Sequence, residues 1–230
     1  MIDGKTILAI VPARGGSKRL HRKNVLSLAG KPLILWSIEA GSKSKYIDKL
    51  VVTSDDKEIL GVSEISGVQQ IVRPKELASD ESSSFSVVQH VIETIDETFD
   101  FIVLLQPTSP LRNEIHIDKA LELLAQKEAD AVISVSKMEH SPLWANILPS
   151  DKSMSGFIKE DIKSVRSQDL PEYFRLNGAI FICETVRLMN EKTFMIENNI
   201  FAFEMDRNIS VDIDVKEDLL IAEMFLAANE

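Results

Sequence analysis

The feature that most restricts this chain is an alternation of short β-branched runs with segments of helical spacing. Residues 6–11 (TILAIV) form a continuous apolar run, the pattern of a strand covered on both faces. After a basic loop, Gly30-Lys31-Pro32 sets a turn, and Leu33, Leu35, Trp36 and Ala40 then recur at helical spacing. Further strands are expected at 49–53, 68–72, 101–105 and 131–135, with helices starting near Asp55, at Ser84 and at Glu114. Ser84 reads as the cap of a helix in which Val87, Val88, Val91, Ile92 and Ile95 hold the 3.6-residue period. Strands and helices in this order need right-handed parallel crossovers. The predicted fold class is α/β: a Rossmann-like, mostly parallel sheet flanked by helices. A chain of 230 residues fits one large domain spanning 1–230.

The pattern breaks over 141–171, where polar and turn residues dominate and Pro149 and Gly156 interrupt. An irregular stretch of this length in a compact domain is usually functional or makes a subunit contact. Strands are expected again at 177–182, 201–204 and 210–215, before a C-terminal helix carrying Leu219, Leu220, Ala222, Glu223 and Phe225.

Charge narrows the function. With 26 basic and 36 acidic residues the net charge is −10, a poor match to nucleic acid or an anionic membrane. Yet Arg14, Lys18, Arg19, Arg22 and Lys23 place five cations within ten residues. An acidic chain with one concentrated basic loop points to a small anionic ligand. Apolar runs fall short of a membrane span, and the N-terminus lacks a signal-peptide plan. The lone Cys183 excludes an internal disulfide and a Cys-rich zinc site, and reads as a small buried apolar residue. A cytoplasmic, reducing location is expected.

The basic loop, 12–24 (PARGGSKRLHRKN), follows the first strand, where an open parallel sheet places its ligands. Glycines there let backbone N–H groups approach an anion, while arginine adds a bidentate fork and lysine a point charge. The loop is neither a Walker A sequence nor a GxGxxG dinucleotide fingerprint. A merely solvated basic loop is the competing reading, and a nucleotide or RNA binder using KRLHRK is its functional form.

Asp212 and Asp214 alternate with Val211, Ile213 and Val215; on a strand both carboxylates face one way, a donor set suited to Mg²⁺. A half-exposed strand gives the same pattern, and Asp214 with Glu217 equally resembles a helix start. Gln106-Pro107-Thr108-Ser109-Pro110-Leu111-Arg112 follows the most apolar strand; Gln106 offers amide hydrogen bonds suited to a sugar, while Arg112 reads as a possible structural anchor. Asp55 and Glu58 read as a solvated helix start, and His21, His90, His116 and His140 show no metal spacing.

Taken together, PARGGSKRLHRKN, RPKELASDESSS, LLQPTSPLR, MEHSP, QDLPEYFRLNGAIFI and SVDIDVKEDLLIAE, in this order, resemble the acylneuraminate cytidylyltransferases, the CMP-sialic acid synthetases. The resemblance covers nearly the whole chain. It implies transfer of CMP from CTP to the anomeric hydroxyl of a nine-carbon 2-keto sugar acid, with Mg²⁺, in a homodimer. The segment at about 137–168 would project as a dimerisation and lid element.

By motif position, Arg14, Lys23, Asp212 and Asp214 would be catalytic, the two aspartates as metal ligands. Ala13, Arg14, Gly15, Gly16, Ser17, Lys23, Asn24, Arg73 and Ser84 would bind the nucleotide. Gln106, Thr108, Ser109, Lys137, Arg166, Gln168, Asn177 and Gly178 would bind the sugar. Asn24 reads equally as a loop residue, Ser84 as an N-cap and Arg73 as an exposed strand end. Two positions depart from the family pattern: Ser167 stands where arginine precedes the glutamine, with Arg166 one place earlier, and Trp144 stands where lysine is common. Lys137, Arg166 or Arg175 would then have to meet the sugar carboxylate. QPTSPLR favours sialic or legionaminic acid over pseudaminic acid or Kdo.

Overall fold

The computed structural model describes residues 1–228. In chain order its elements are β1 (Ile7–Pro12), the short pair β2 (Ser27–Leu28) and β3 (Lys31–Pro32), α1 (Leu33–Lys43), β4 (Lys49–Ser54), α2 (Lys57–Glu64) and β5 (Gln69–Val72). There follow α3 (Ser84–Thr94), β6 (Phe101–Leu104), α4 (Glu114–Gln126), β7 (Ala131–Lys137), β8 (Phe174–Glu184), α5 (Thr185–Glu191), β9 (Ile200–Glu204) and α6 (Lys216–Ala227).

Seven strands form one sheet in the order β5-β4-β1-β6-β8-β7-β9. The first four are mutually parallel, as is the β7–β9 pair. Only β8 runs against both of its neighbours. Lys137 pairs with Phe174, so residues 138–173 leave and re-enter the sheet at one end, as a long hairpin that reverses the strand direction. The expected mostly parallel sheet is present, with this one reversal.

The continuous apolar strands are buried on both faces. Ile7, Ala9 and Val11 pack with Ile34 and Ile38 of α1, Ile59 of α2 and Leu121 of α4. Leu8 and Ile10 pack on the other side with Val88 and Val91 of α3 and Leu188 of α5. Each such side chain contributes about 1.5–3 kcal/mol on burial. A third cluster joins Leu28, Leu33, Leu111, Ile213 and Ala222, and fixes α6 and the segment before it beside the loop after β6.

Two local expectations are corrected. Residues 210–215 are not a strand: the preceding chain forms a single 3-10 turn at Arg207–Ile209, and the segment is pinned at separate points instead of along a ladder. Ile213 donates its N–H to Thr108 O at 2.7 Å and is fully buried, while the N–H groups of Asp214 and Val215 both go to the Asp218 carboxylate at 2.8 Å. Ser84 is the first residue of α3, not its cap; Ser83 Oγ accepts from Ser86 N at 3.0 Å and caps the helix. Residues 138–173 contain no strand among the described residues, only short turns, and leave Ile147, Leu148 and Met154 exposed.

Candidate active site

The chain builds β1, β4 and β5 in one direction across the sheet, then crosses back to place β6 on the other side of β1. The loops at the C-terminal ends of β1 and β6 diverge at this switch point, which is where open α/β sheets hold ligands. A cavity of about 650 Å³ lies there. Arg14, Ser17, Lys23 and Asn24 line it from the loop after β1, and Arg73 from the end of β5. Ser84 lines it from the start of α3, Gln106 and Thr108 from the loop after β6, and Asp212 and Asp214 from the segment before α6.

Every cation of the basic loop has a carboxylate partner. Arg14 Nη2 is 2.8 Å from Asp80, which also pairs with Lys18. Arg19 Nη1 lies 2.5 Å and Lys23 Nζ 3.0 Å from opposite oxygens of Asp214. Arg22 joins Asp56 at 2.6 Å and also reaches Glu58. The Lys18 and Arg14 ammonium and guanidinium groups hold the Asp80 carboxyl below its ordinary range, and Lys23, with Arg19, does the same for Asp214.

Asp212 has the opposite tendency. It is exposed by area, but the cavity walls crowd its carboxylate; this desolvation raises its pKa, against a hydrogen bond with Thr108, and the nearby Asp214 charge adds to the rise. Two carboxylates that repel each other in one pocket are the condition a divalent cation relieves. One or two carboxylates completed by water and substrate phosphate suit Mg²⁺, so this pair fits it. No group of three or more His, Cys, Asp or Glu in metal-binding proximity occurs among the described residues.

The loop itself is held by polar contacts from below. Asn24, buried, donates Nδ2–H to Arg14 O at 2.9 Å. Arg73 is not an exposed strand end: it is 5% exposed, donates from Nη2 to Ala13 O at 2.8 Å, and leaves its buried Nε without a partner. Burial lowers its pKa. Ala13 is buried and takes part through that carbonyl. The Gly15 N–H is committed to Asp55 Oδ1 at 3.1 Å, so it is not free to meet an anion as expected.

Glycine at position 15 answers a close approach, since a Cβ there would lie 2.6 Å from Asp56 Oδ2; at Gly16 it would meet open space. Gly15→Ala is therefore expected to destabilise the protein by about 1–3 kcal/mol and to weaken nucleotide binding. Gly16→Ala stays within about 0.5 kcal/mol of the parent in a denaturant melt. Equal melts for the two variants would remove this steric explanation.

Several expected sugar contacts lie elsewhere. Asn177 is 1% exposed: its Oδ1 accepts from Ser134 Oγ at 2.6 Å and its Nδ2 donates to Ser210 Oγ at 3.0 Å. Ser109, also buried, donates to Asn177 O at 3.2 Å. Both are interior braces whose polar groups are used by the fold, and neither lines the cavity. Gly178 touches the site only through Gln106: at φ +74° its missing Cβ would sit 2.9 Å from Gln106 Oε1. Lys137 pairs with Glu172, Arg166 with Asp169 at 2.7 Å, and neither they nor Gln168 lines the cavity. Arg112 is an internal anchor, 1% exposed. Burial raises the Cys183 thiol to about 12, as suits an inert core residue.

Lys18 and Arg19, counted in the basic loop but given no individual site role by the sequence reading, and Asp80, which it does not consider, all line the cavity. The first two sit in the same basic loop, and Asp80 lies between Arg73 and Ser84 in one of the quoted motifs. The sequence reads Asp55 and Glu58 as a solvated helix start and gives no role to Asp56. Asp56 does cap α2, accepting from Glu58 N and Ile59 N at 2.9 and 3.1 Å, but both aspartates also brace the loop after β1.

The cytidylyltransferase family model matches residues 8–229. An N-acylneuraminate cytidylyltransferase of Escherichia coli is 36% identical over 217 residues, 94% of this chain and 51% of that protein. This chain thus spans about half the length of that relative. A pseudaminic acid cytidylyltransferase of Campylobacter jejuni is 34% identical, covering 96% of this chain and 97% of its own. A CMP-N,N'-diacetyllegionaminic acid synthase of Legionella pneumophila is 33% identical, with 97% of each covered. The similarity therefore does not rank legionaminic above pseudaminic acid, as QPTSPLR had suggested. A solved CMP:2-keto-3-deoxy-manno-octonic acid synthetase complexed with CTP superposes with a TM-score of 0.71 at 17% identity, covering 98% of this chain and all of that one, which supports the fold.

Proposed function

The chain belongs to the cytidylyltransferase family, and from that membership we propose that it transfers CMP from CTP to the anomeric hydroxyl of a nine-carbon 2-keto sugar acid, releasing pyrophosphate. The observation that carries this reading is the convergence of four separate motifs, around Arg14–Asn24, Arg73–Ser84, Gln106–Thr108 and Asp212–Asp214, on one cavity at the switch point. The non-catalytic RNA-binding alternative has no need of that convergence.

In the reaction the sugar hydroxyl oxygen bonds to the α-phosphorus and gives up its proton to solvent as the bond to the bridging oxygen breaks, and the pyrophosphate leaves with its electron pair. Negative charge spreads over the phosphoryl and leaving-group oxygens, so positioning and positive charge matter more than a covalent nucleophile. Arg14 and Lys23 hold the triphosphate, with Ser17 and the open backbone at Gly16. Asn24, Arg73 and Ser84 take the nucleoside end. Gln106 and Thr108 face the sugar. Asp212 and Asp214 would hold Mg²⁺, which supplies charge neutralisation at the phosphoryl oxygens when bound.

None of the three basic residues considered for the sugar carboxylate lines the cavity; Arg175 is favoured because its charge acts on Asp212, which does, while it donates to Ser210 O at 3.0 Å. No described helix is long and apolar enough to cross a membrane. A cytoplasmic homodimer completes the reading, with exposed Ile147, Leu148 and Met154 of the 138–173 segment available for the subunit contact.

The test is Mg²⁺-dependent pyrophosphate release from CTP, UTP, GTP and ATP, each with N-acetylneuraminic, legionaminic or pseudaminic acid, or with Kdo. Release with CTP and one of the nine-carbon acids, and none without sugar or with EDTA, is the expected result. Release with Kdo alone moves the reading to an eight-carbon substrate. No release with any pair, from protein that binds CTP, rejects it.

A further inference from the structure

Among the described residues, Arg112 is the one large cation buried in the interior beside the site without being part of the cavity wall. Its Nε donates to Ala179 O of β8 at 3.0 Å, and its Nη2 donates to Ser37 Oγ of α1 at 2.6 Å and to Gln106 O at 3.2 Å. Ser37 Oγ in turn donates to Gln106 O at 3.3 Å, and Ser109 N donates to the same oxygen at 3.2 Å. Three donors thus converge on one carbonyl. The far side of that residue is equally confined, because the Gln106 carboxamide rests against the backbone of Gly178, where no side chain fits.

Ordinary loop-anchoring does not call for a guanidinium here. Burying a charge is costly unless it is paired, and among the described residues no carboxylate lies within ion-pair distance of Arg112. Its Nη1 has no partner at all. A neutral donor would satisfy the carbonyls at lower cost; what the fork adds is a rigid triangle fixing α1, β8 and the loop after β6 to one another. Gln106, at the junction of those three elements, lines the cavity.

We propose that Arg112 is a positioning residue for the sugar half of the site, holding the Gln106 peptide so that its carboxamide stands at a fixed point in the cavity. This rests on reading Gln106 as a sugar contact. Binding groups lose effect steeply when displaced by an ångström, so the benefit of such bracing appears in substrate affinity more than in the fold.

The test is a double-mutant cycle read in the KM of the sugar acid that supports pyrophosphate release, with the KM of CTP as control. The side-chain amide resonance of Gln106, assigned by its loss in Gln106→Ala, gives a readout that needs no sugar. Arg112→Lys, which keeps the charge but lacks the fork, shifts that resonance and raises the sugar KM about tenfold, with the CTP KM changed less than about twofold. In the Gln106→Ala background the same replacement adds less than about twofold. Ser37→Ala, which removes only the bridging hydroxyl, moves the resonance less in the same direction and serves if Arg112→Lys does not fold. An unmoved resonance in the folded variants, or an equal rise in sugar KM with and without Gln106, overturns the positioning role. A shifted resonance with the sugar KM unchanged in both Arg112→Lys and Gln106→Ala overturns the reading of Gln106 instead.

Discussion

Asp214→Ala lowers turnover by about 10²–10³ at saturating CTP and sugar, while the melting temperature stays close to that of the parent. The size follows from the proposed role, a carboxylate holding the metal and the lysine that meet the reacting phosphate. The unchanged melt follows from geometry. Asp214 accepts from Lys23 and Arg19 in a solvent-accessible position, where ion pairs contribute little to stability. The helix-start role that the sequence allowed for Asp214 belongs to Asp218, which receives the N–H groups of Asp214 and Val215. Asp218→Ala is thus the companion variant: it loses about 1 kcal/mol of stability and keeps its KM for CTP. A melting loss in Asp214→Ala with turnover retained would assign it to the fold instead.

Arg73→Ala produces the largest combined effect, on stability and on nucleotide affinity. Truncation strips the Ala13 carbonyl of its donor and opens a hole where a buried guanidinium had been, costing about 2–4 kcal/mol. It also removes the one buried cation among the residues lining the cavity, and CTP binding weakens at least about tenfold. Denaturant melts and calorimetric titration with CTP read the two effects separately. Unchanged CTP affinity in the folded variant would make Arg73 a brace for the loop after β1 and nothing more.

The legible part of this molecule was its periodic part. Runs such as TILAIV and FIVLL carry their own explanation, because a strand covered on both faces has no polar alternate positions. The loop after β1 was legible for a related reason, since five cations in ten residues have few structural uses in an acidic chain. What failed was the reading of polar residues inside motifs. Asn177 and Ser109 look like pocket residues in sequence, yet their hydrogen-bonding groups are turned inward, tying β7, β8 and the turn at Arg207–Ile209 together. Position in a motif does not say which way an amide faces. Asp212 and Asp214 reached the cavity, but not through strand alternation. Burial of Ile213 between them, together with its N–H bond to Thr108 O and the bond its carbonyl accepts from Lys23 Nζ, brings both to the cavity. The roles of Asp80 and Asp55 were not legible because an isolated acid near a helix start looks solvated until the groups across the chain are placed.

The carboxylates that match the five loop cations have a bearing on what this site ignores. A free polyelectrolyte gains affinity by releasing loosely held salt ions into solution, and that gain scales with the number of cations it meets. Here the counter-ions are Asp80, Asp214, Asp56 and Glu58, fixed to the chain and impossible to release. An incoming phosphate chain must exchange with them one for one, gaining little from dilution of salt. The basic loop is in effect a loaded ion-exchanger with immobile anions. It offers little to an RNA strand drifting past, and yields only to a compact polyanion that reaches several of its cations at once.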